Sequence, residues 1–151
     1  MATNISHSAE ETQSLGESWG RAAGSGLVIA VSGDLGAGKT QLAKGVARGL
    51  GVTGRIQSPT FALVNHYEGG RLPFFHVDLY RLETAEQIFA AGLEEYFHPA
   101  GVSLIEWAER WLGDDASAEI KNVKRGIIFR RVRIEVVSET ERRIIYEDFG
   151  G

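Results

Sequence analysis

Four residues carry the first chemical signal. Gly33, Gly38, Lys39 and Thr40 stand at the spacing G-x-x-x-x-G-K-[ST], and each position has a mechanical use. The glycines let the backbone curl and aim successive N–H groups at phosphate oxygens. Lys39 reaches the β- and γ-phosphates as a point charge. The Thr40 hydroxyl is a hard oxygen ligand for Mg²⁺, which also bridges phosphate oxygens. A helix beginning at Thr40 aims the positive end of its dipole at the same anion. Asp34, Leu35, Gly36, Ala37, Gly38, Lys39 and Thr40, with Gln41 following, are therefore the expected cradle for a nucleoside triphosphate and Mg²⁺. The bland alternative is a glycine-rich turn that matches by accident. Context disfavours it, because the match lies between an apolar run that reads as a buried strand and a segment that reads as a helix.

Phosphate chemistry also calls for a carboxylate at the end of a neighbouring strand, to organise metal and water. Glu106 closes the run Val102-Ser103-Leu104-Ile105, and Asp78 closes Phe74-Phe75-His76-Val77. Spacing does not order the two, and a solvated charge is the commoner fate of a lone acid at a strand end. His76, on the same aromatic strand as Asp78, reads first as a packed histidine.

The elements that must position these groups follow from periodicity. Ser8-Ala9-Glu10-Glu11 has the spacing of a capping box, and Leu15, Ser18, Trp19, Ala22 and Ala23 recur at helical spacing, which predicts a helix over Ala9–Ala23. Leu27–Ser32 is a short Val/Ile-rich run, read as a central parallel strand. Thr40–Leu50 reads as a helix closed by Gly49 and Gly51, and 54–60 as a loop because Pro59 disfavours helix at Ser58. Phe61–Tyr67 alternates and is followed by Gly69-Gly70 and Phe74–Val77, an antiparallel hairpin. Thr84 opens a short helix stopped by Gly92, Leu93–Phe97 a further turn, Val102–Ile105 a second buried strand, and Trp107–Leu112 a helix. Gly113–Gly126 is polar and mixed and reads as a long loop with some helix. Val132–Val137 and Arg143–Tyr146 read as a terminal hairpin turning at Glu139–Arg142. Strands mixed with helices in this order predict an α/β fold with a mixed central sheet flanked by helices, as one domain over residues 1–151.

Composition narrows the classes. The chain has 151 residues, 43% hydrophobic and 24% charged, which suits a single hydrophobic core. A formal net charge of -4 argues against non-specific nucleic-acid binding by the whole surface. With no cysteine, disulfides, thiolate chemistry and Cys-based zinc sites are excluded. No apolar run approaches the ~20 residues that span a bilayer. Met1–Gln13 has neither the charged start nor the apolar stretch of a signal peptide. The expectation is a cytoplasmic protein without a membrane partner.

Four blocks in order give the chain a family likeness: Gly33–Thr40, Ser58-Pro59-Thr60-Phe61, His76-Val77-Asp78-Leu79-Tyr80-Arg81-Leu82, and Ile105-Glu106-Trp107, with Glu94-Glu95-Tyr96 as a weaker fifth. The chain resembles the TsaE (YjeE) family, bacterial ATPases of tRNA threonylcarbamoyladenosine biosynthesis. The blocks span about half the chain, and the likeness is loose before Gly26 and after Arg110. The resemblance implies a small P-loop NTPase-like α/β domain, ATP and Mg²⁺ as ligands, and weak ATP hydrolysis in isolation. It also implies the TsaD–TsaB complex as protein partner, with tRNA engaged indirectly through that complex. By position it makes Lys39, Asp78 and Glu106 the catalytic set: Lys39 on phosphate, Thr40 and Glu106 as Mg²⁺ ligands, Asp78 on the attacking water. Ser58, Pro59 and Thr60 resemble a switch segment sensing the γ-phosphate. Trp107 belongs to an acid–Trp pair near nucleotide or partner, with core packing as its equal alternative.

Two departures from the family pattern stand out. Ala108 occupies a position where the family often has Pro, and the stretch 114–131 reads as a loop-rich insertion. Lys121, Lys124, Arg125, Arg130, Arg131 and Arg133 lie close together with no acid among them. A solvated strand-and-loop face explains them more simply than a tRNA-binding patch does. Two other functions share the phosphate loop: a small-molecule or nucleotide kinase, which needs an arginine-rich lid, and a non-hydrolytic nucleotide-gated binding module.

Overall fold

Leu27–Gly33 buries its first five residues completely or nearly so because both of its faces are covered, and the sheet is built around it. The computed structural model describes residues 1–34, 36–59, 63–112 and 128–150. Among these, β1 (Ala2–Ser6), β2 (Leu27–Gly33), β3 (Val64–Tyr67), β4 (Phe74–Asp78), β5 (Val102–Glu106), β6 (Ile128–Val136) and β7 (Arg142–Gly150) form a 7-stranded sheet in the order β1-β7-β6-β2-β5-β4-β3. β2 runs parallel to β5 and β6, and β4 parallel to β5. The outer pairings β3–β4, β6–β7 and β1–β7 are antiparallel. The fold is thus α/β with a mixed sheet, as the sequence predicts.

Helices α1 (Ala9–Ala22) and α2 (Lys39–Gly49) cover one face, where Trp19, Leu42 and Val46 pack on Ile29, Val31, Leu104 and Ile144. On the other face α3 (Ala85–Ala90), a 3-10 turn (Glu94–Phe97) and α4 (Glu109–Leu112) bring Ile88, Phe97 and Trp111 against Val28, Ala30, Ile105 and Phe129. The predicted cap of α1 is realised: Ser8 Oγ accepts from the Glu11 amide at 3.1 Å, while the Glu11 carboxylate accepts from the His7 amide at 2.8 Å. Thr84 caps α3 in the same way through the Gln87 amide. No helix among the described residues is long and apolar enough to cross a membrane.

Helices α1 and α2 meet glycine to glycine. A Cβ on Gly16 would stand 2.5 Å from the Leu42 carbonyl oxygen, and one on Gly45 would collide with the Gln13 carbonyl. Backbone rests on backbone here, and α1 thereby braces the helix that carries Lys39 and Thr40.

Several expected boundaries move. The polar lead-in to α1 contains β1, a mostly exposed strand whose β-formers are Thr3 and Ile5. Its pairing comes from the open edge of β7 rather than from any pattern of its own. The terminal hairpin is longer than periodicity suggests, and Arg142 begins β7 instead of ending the turn. β3 starts at Val64, after Leu63 at φ 65°, and α4 starts at Glu109, after Trp107 at φ 59°. Left-handed backbone at these two side-chain-bearing residues is invisible to periodicity. β4 belongs to the predicted hairpin but lies inside the sheet, between β3 and β5. The predicted loop from 113 falls outside the described residues.

Candidate nucleotide-binding site

The parallel strands set the site, since a crevice opens beyond their carboxyl ends. The register places Glu106 beside both Val31 and Asp78, so β5 and β4 finish level while β2 continues to Gly33. The chain leaves β2 through Gly33 and returns as α2 from an N-cap at Gly38, with φ 80° at Gly36 and 110° at Gly38. Those values belong to glycine. No side chain caps α2, so its first-turn amides remain available to an anion.

Lys39 is 4% exposed and its ammonium donates to the carbonyls of Gly33 (2.6 Å) and Asp34 (2.8 Å). Burial lowers its pKa, and Glu106, Glu109, Asp78 and Asp34 pull it back up. The indole of Trp107 lies 4.1 Å from the ammonium and packs against Tyr80 with ring centroids 5.0 Å apart. Left-handed backbone at Trp107 accompanies this position on the cleft wall, a strained conformation of the kind that concentrates at functional sites.

One turn of α2 faces the end of β5. The Thr40 hydroxyl lies 3.1 and 3.0 Å from the two oxygens of Glu106. His76, fully buried, hydrogen-bonds the same carboxylate through Nε2. With the carboxylate as acceptor that nitrogen carries the proton, and Nδ1 has no partner among the described residues. Asp78 Oδ2 meets Ser58 Oγ at 3.3 Å, and Oδ1 accepts the Tyr80 amide at 2.9 Å. Burial raises the Asp78 pKa, and nearby Glu106 adds to the rise. The Tyr80 amide, Ser58 and His76 oppose it.

Gly36, Gly38, Lys39, Thr40, Gln41, Ser58, Asp78, Glu106 and Trp107 thus share one cleft of about 370 Å³ with Tyr80. A second cleft of about 380 Å³ shares Gly36, Gly38 and Gln41 with it, and is walled by Ala37, Ser8, Thr12, Glu139 and Arg142. The exposed side chain of Asp34 lines neither cleft. Leu35 and Thr60 fall outside the described residues. A hard cation suits the donor set, because a hydroxyl and a carboxylate from two elements face one point. Among the described residues no cluster of three or more His, Cys, Asp or Glu could cage a metal by itself.

Sequence reasoning named the acids and set Thr40 with Glu106, but not His76 on that carboxylate or Ser58 on Asp78. His76 could have been found from β-strand alternation, which puts it on the face of Asp78. Arg142 and the second cleft had no local signal. The described part of the basic stretch belongs to β6. There Arg130 forks onto Asp148 at 2.7 and 2.9 Å and lies over Trp19, while Lys121, Lys124 and Arg125 fall outside the described residues.

Comparison with known proteins agrees with this geometry. The family described as threonylcarbamoyl adenosine biosynthesis protein TsaE matches residues 6–144. Proteins named tRNA threonylcarbamoyladenosine biosynthesis protein TsaE are similar to the chain in Bacillus subtilis, at 46% identity over 99 residues, covering 66% of this chain and 61% of that protein. In Treponema pallidum the identity is 44% over 106 residues, covering 70% and 78%. The Synechocystis relative, 49% identical over 89 residues, is spanned over only 56% of its length. The crystal structure of Bacillus subtilis YdiB superposes with a TM-score of 0.74 at 32% identity, over 99% of this chain and 86% of that one.

Proposed function

The chain belongs to the TsaE family of threonylcarbamoyl adenosine biosynthesis proteins, and from that premise we propose that it is a Mg²⁺-dependent ATPase serving the threonylcarbamoyladenosine modification of tRNA together with a TsaD–TsaB complex. The observation that carries this reading is the Thr40 hydroxyl set on both oxygens of Glu106, one residue after the buried Lys39 and across the cleft from Asp78. In this reading the triphosphate lies along the loop amides, and the second cleft takes the nucleoside.

The chain's own groups then divide the work. The loop amides and Lys39 hold the β- and γ-phosphates and offset the charge that develops as the terminal P–O bond breaks. Lys39 moves from the Gly33 and Asp34 carbonyls to phosphate oxygens. Thr40 and Glu106 would hold Mg²⁺, which would supply charge neutralisation to the phosphates. Asp78 orients the attacking water and Ser58 lies on that carboxylate, so a switch segment and the water-positioning acid are linked. No arginine among the described residues lines the phosphate cleft. A partner protein completing the site would account for weak hydrolysis alone.

A kinase is the less favoured reading. The basic stretch that begins at Lys121 is the candidate for the arginine-rich lid a kinase needs, and its described part is a strand whose Arg130 is committed to Asp148. Reconstitution of tRNA modification with TsaD and TsaB tests the proposal. With this protein and Mg·ATP, modified tRNA per enzyme should exceed one turnover, with inorganic phosphate released. Phosphate transferred to a nucleoside would favour the kinase. Equal turnover with a non-hydrolysable ATP analogue would favour a binding module.

A further inference from the structure

Arg142 turns its guanidinium from the start of β7 towards the back of the phosphate loop. Its Nε donates to the Ala37 carbonyl at 3.1 Å, and Nη2 reaches the Gly36 carbonyl at 3.4 Å. Nη1 donates to the carbonyls of Ser138 (2.8 Å) and Glu141 (3.1 Å) and lies 3.5 Å from that of Glu139. One planar fork therefore ties two successive loop carbonyls to the turn between β6 and β7. The same turn carries Glu139 and Thr140, which wall the second cleft.

An anion-binding loop works only if its amides face the anion, which requires the carbonyls of the same peptides to face away. In a trans peptide N–H and C=O point in opposite directions, and there is no cis bond here. Holding the Ala37 carbonyl outward thus directs the Gly38 amide to the other side. The Ala37 amide is already bound to the Asp34 carbonyl at 3.0 Å. Gly36 and Gly38 leave these planes free to rotate, so an external restraint is needed to choose their orientation. The geometry points to Arg142 as a positioning residue for nucleotide binding: its fork fixes the Gly36 and Ala37 carbonyls outward and joins the loop to the wall of the second cleft. This rests on the nucleotide-binding reading above and adds to it a residue outside all the motifs.

The test is the affinity for ADP by calorimetry in the presence of a chelator, which separates the loop from metal effects. Arg142→Gln removes the charge and the fork and should weaken ADP about tenfold, the worth of one to two lost hydrogen bonds. Arg142→Lys keeps the charge without the fork and should weaken it about threefold. Ser138→Ala removes the hydroxyl that accepts the Glu141 amide in the same turn. It loosens the turn but spares the fork, and should bind within about twofold of wild type. Wild-type affinity in Arg142→Gln overturns the inference, as does equal weakening in Ser138→Ala, which would make the turn's integrity the cause. If Arg142→Gln does not fold, Arg142→Lys decides, and wild-type affinity there overturns it. Absence of ADP binding by the wild-type chain would instead sink the nucleotide-binding reading itself.

Discussion

Asp78 is 8% exposed at the end of β4, and burial pushes its carboxyl above the usual range. The raised value means that the native state keeps this proton at a pH where the unfolded chain has lost it. Stability therefore falls as pH rises from the ordinary aspartate range through the native value, and at pH 7 the buried charge is a net cost. Asp78→Asn should accordingly raise the unfolding midpoint at pH 7 in chelator, and the advantage over wild type should disappear at a pH below the ordinary aspartate range. The same variant should lower kcat for ATP hydrolysis about 100-fold or more, as loss of an acid–base group does, while leaving ADP binding in place. A thermal scan at the two pH values and a phosphate-release assay check both limbs. Glu106 is managed differently: Thr40 and His76 hydrogen-bond its carboxylate from two elements, which orients it.

At the scale of elements, the phosphate loop is aimed by α2, and α2 is aimed by α1. The contact is made through Gly16, Gly20, Gly45 and Gly49, where each added Cβ would meet main-chain atoms of the other helix. Main chain cannot yield as a flexible side chain does. Gly45→Ala gains about 1 kcal/mol of helix propensity, but overpacking costs about 1–3 kcal/mol and more where nothing can move aside. A net destabilisation of about 2 kcal/mol is expected in urea unfolding. A separation of the helices would also shift Gln13, whose side chain donates to Gln41 at 2.6 Å on the edge of both clefts. The capping box of α1 and the start of α3 at Thr84 were legible because the groups that make them lie within four residues. The glycine contact was not, because its two halves lie some thirty residues apart and each looks merely like a weak helix position.

Across the whole molecule, β1 closes one side of the sheet by pairing Ala2–Ser6 with Arg142–Tyr146, and Ser6 Oγ bonds Thr12 Oγ1 at 2.7 Å. Removing residues 1–6 would uncover the edge of β7. The shortened chain should unfold about 3–6 °C lower, the shift expected for a loss of one to two kcal/mol in a domain of this size. It should also associate with itself at high concentration while still binding ADP, which calorimetry and light scattering measure. The sequence by itself determined the phosphate loop, the strand before it, the helix after it and the identity of the two acids, because those features are written in residue type over a few positions. Only the tertiary structure decided that His76 joins Thr40 on the Glu106 carboxylate, that Asp78 belongs with Ser58, and that Arg142 stands behind the loop. Sheet order and register bring together residues as far apart as Gly36 and Arg142, and no local pattern encodes which strand edges will meet.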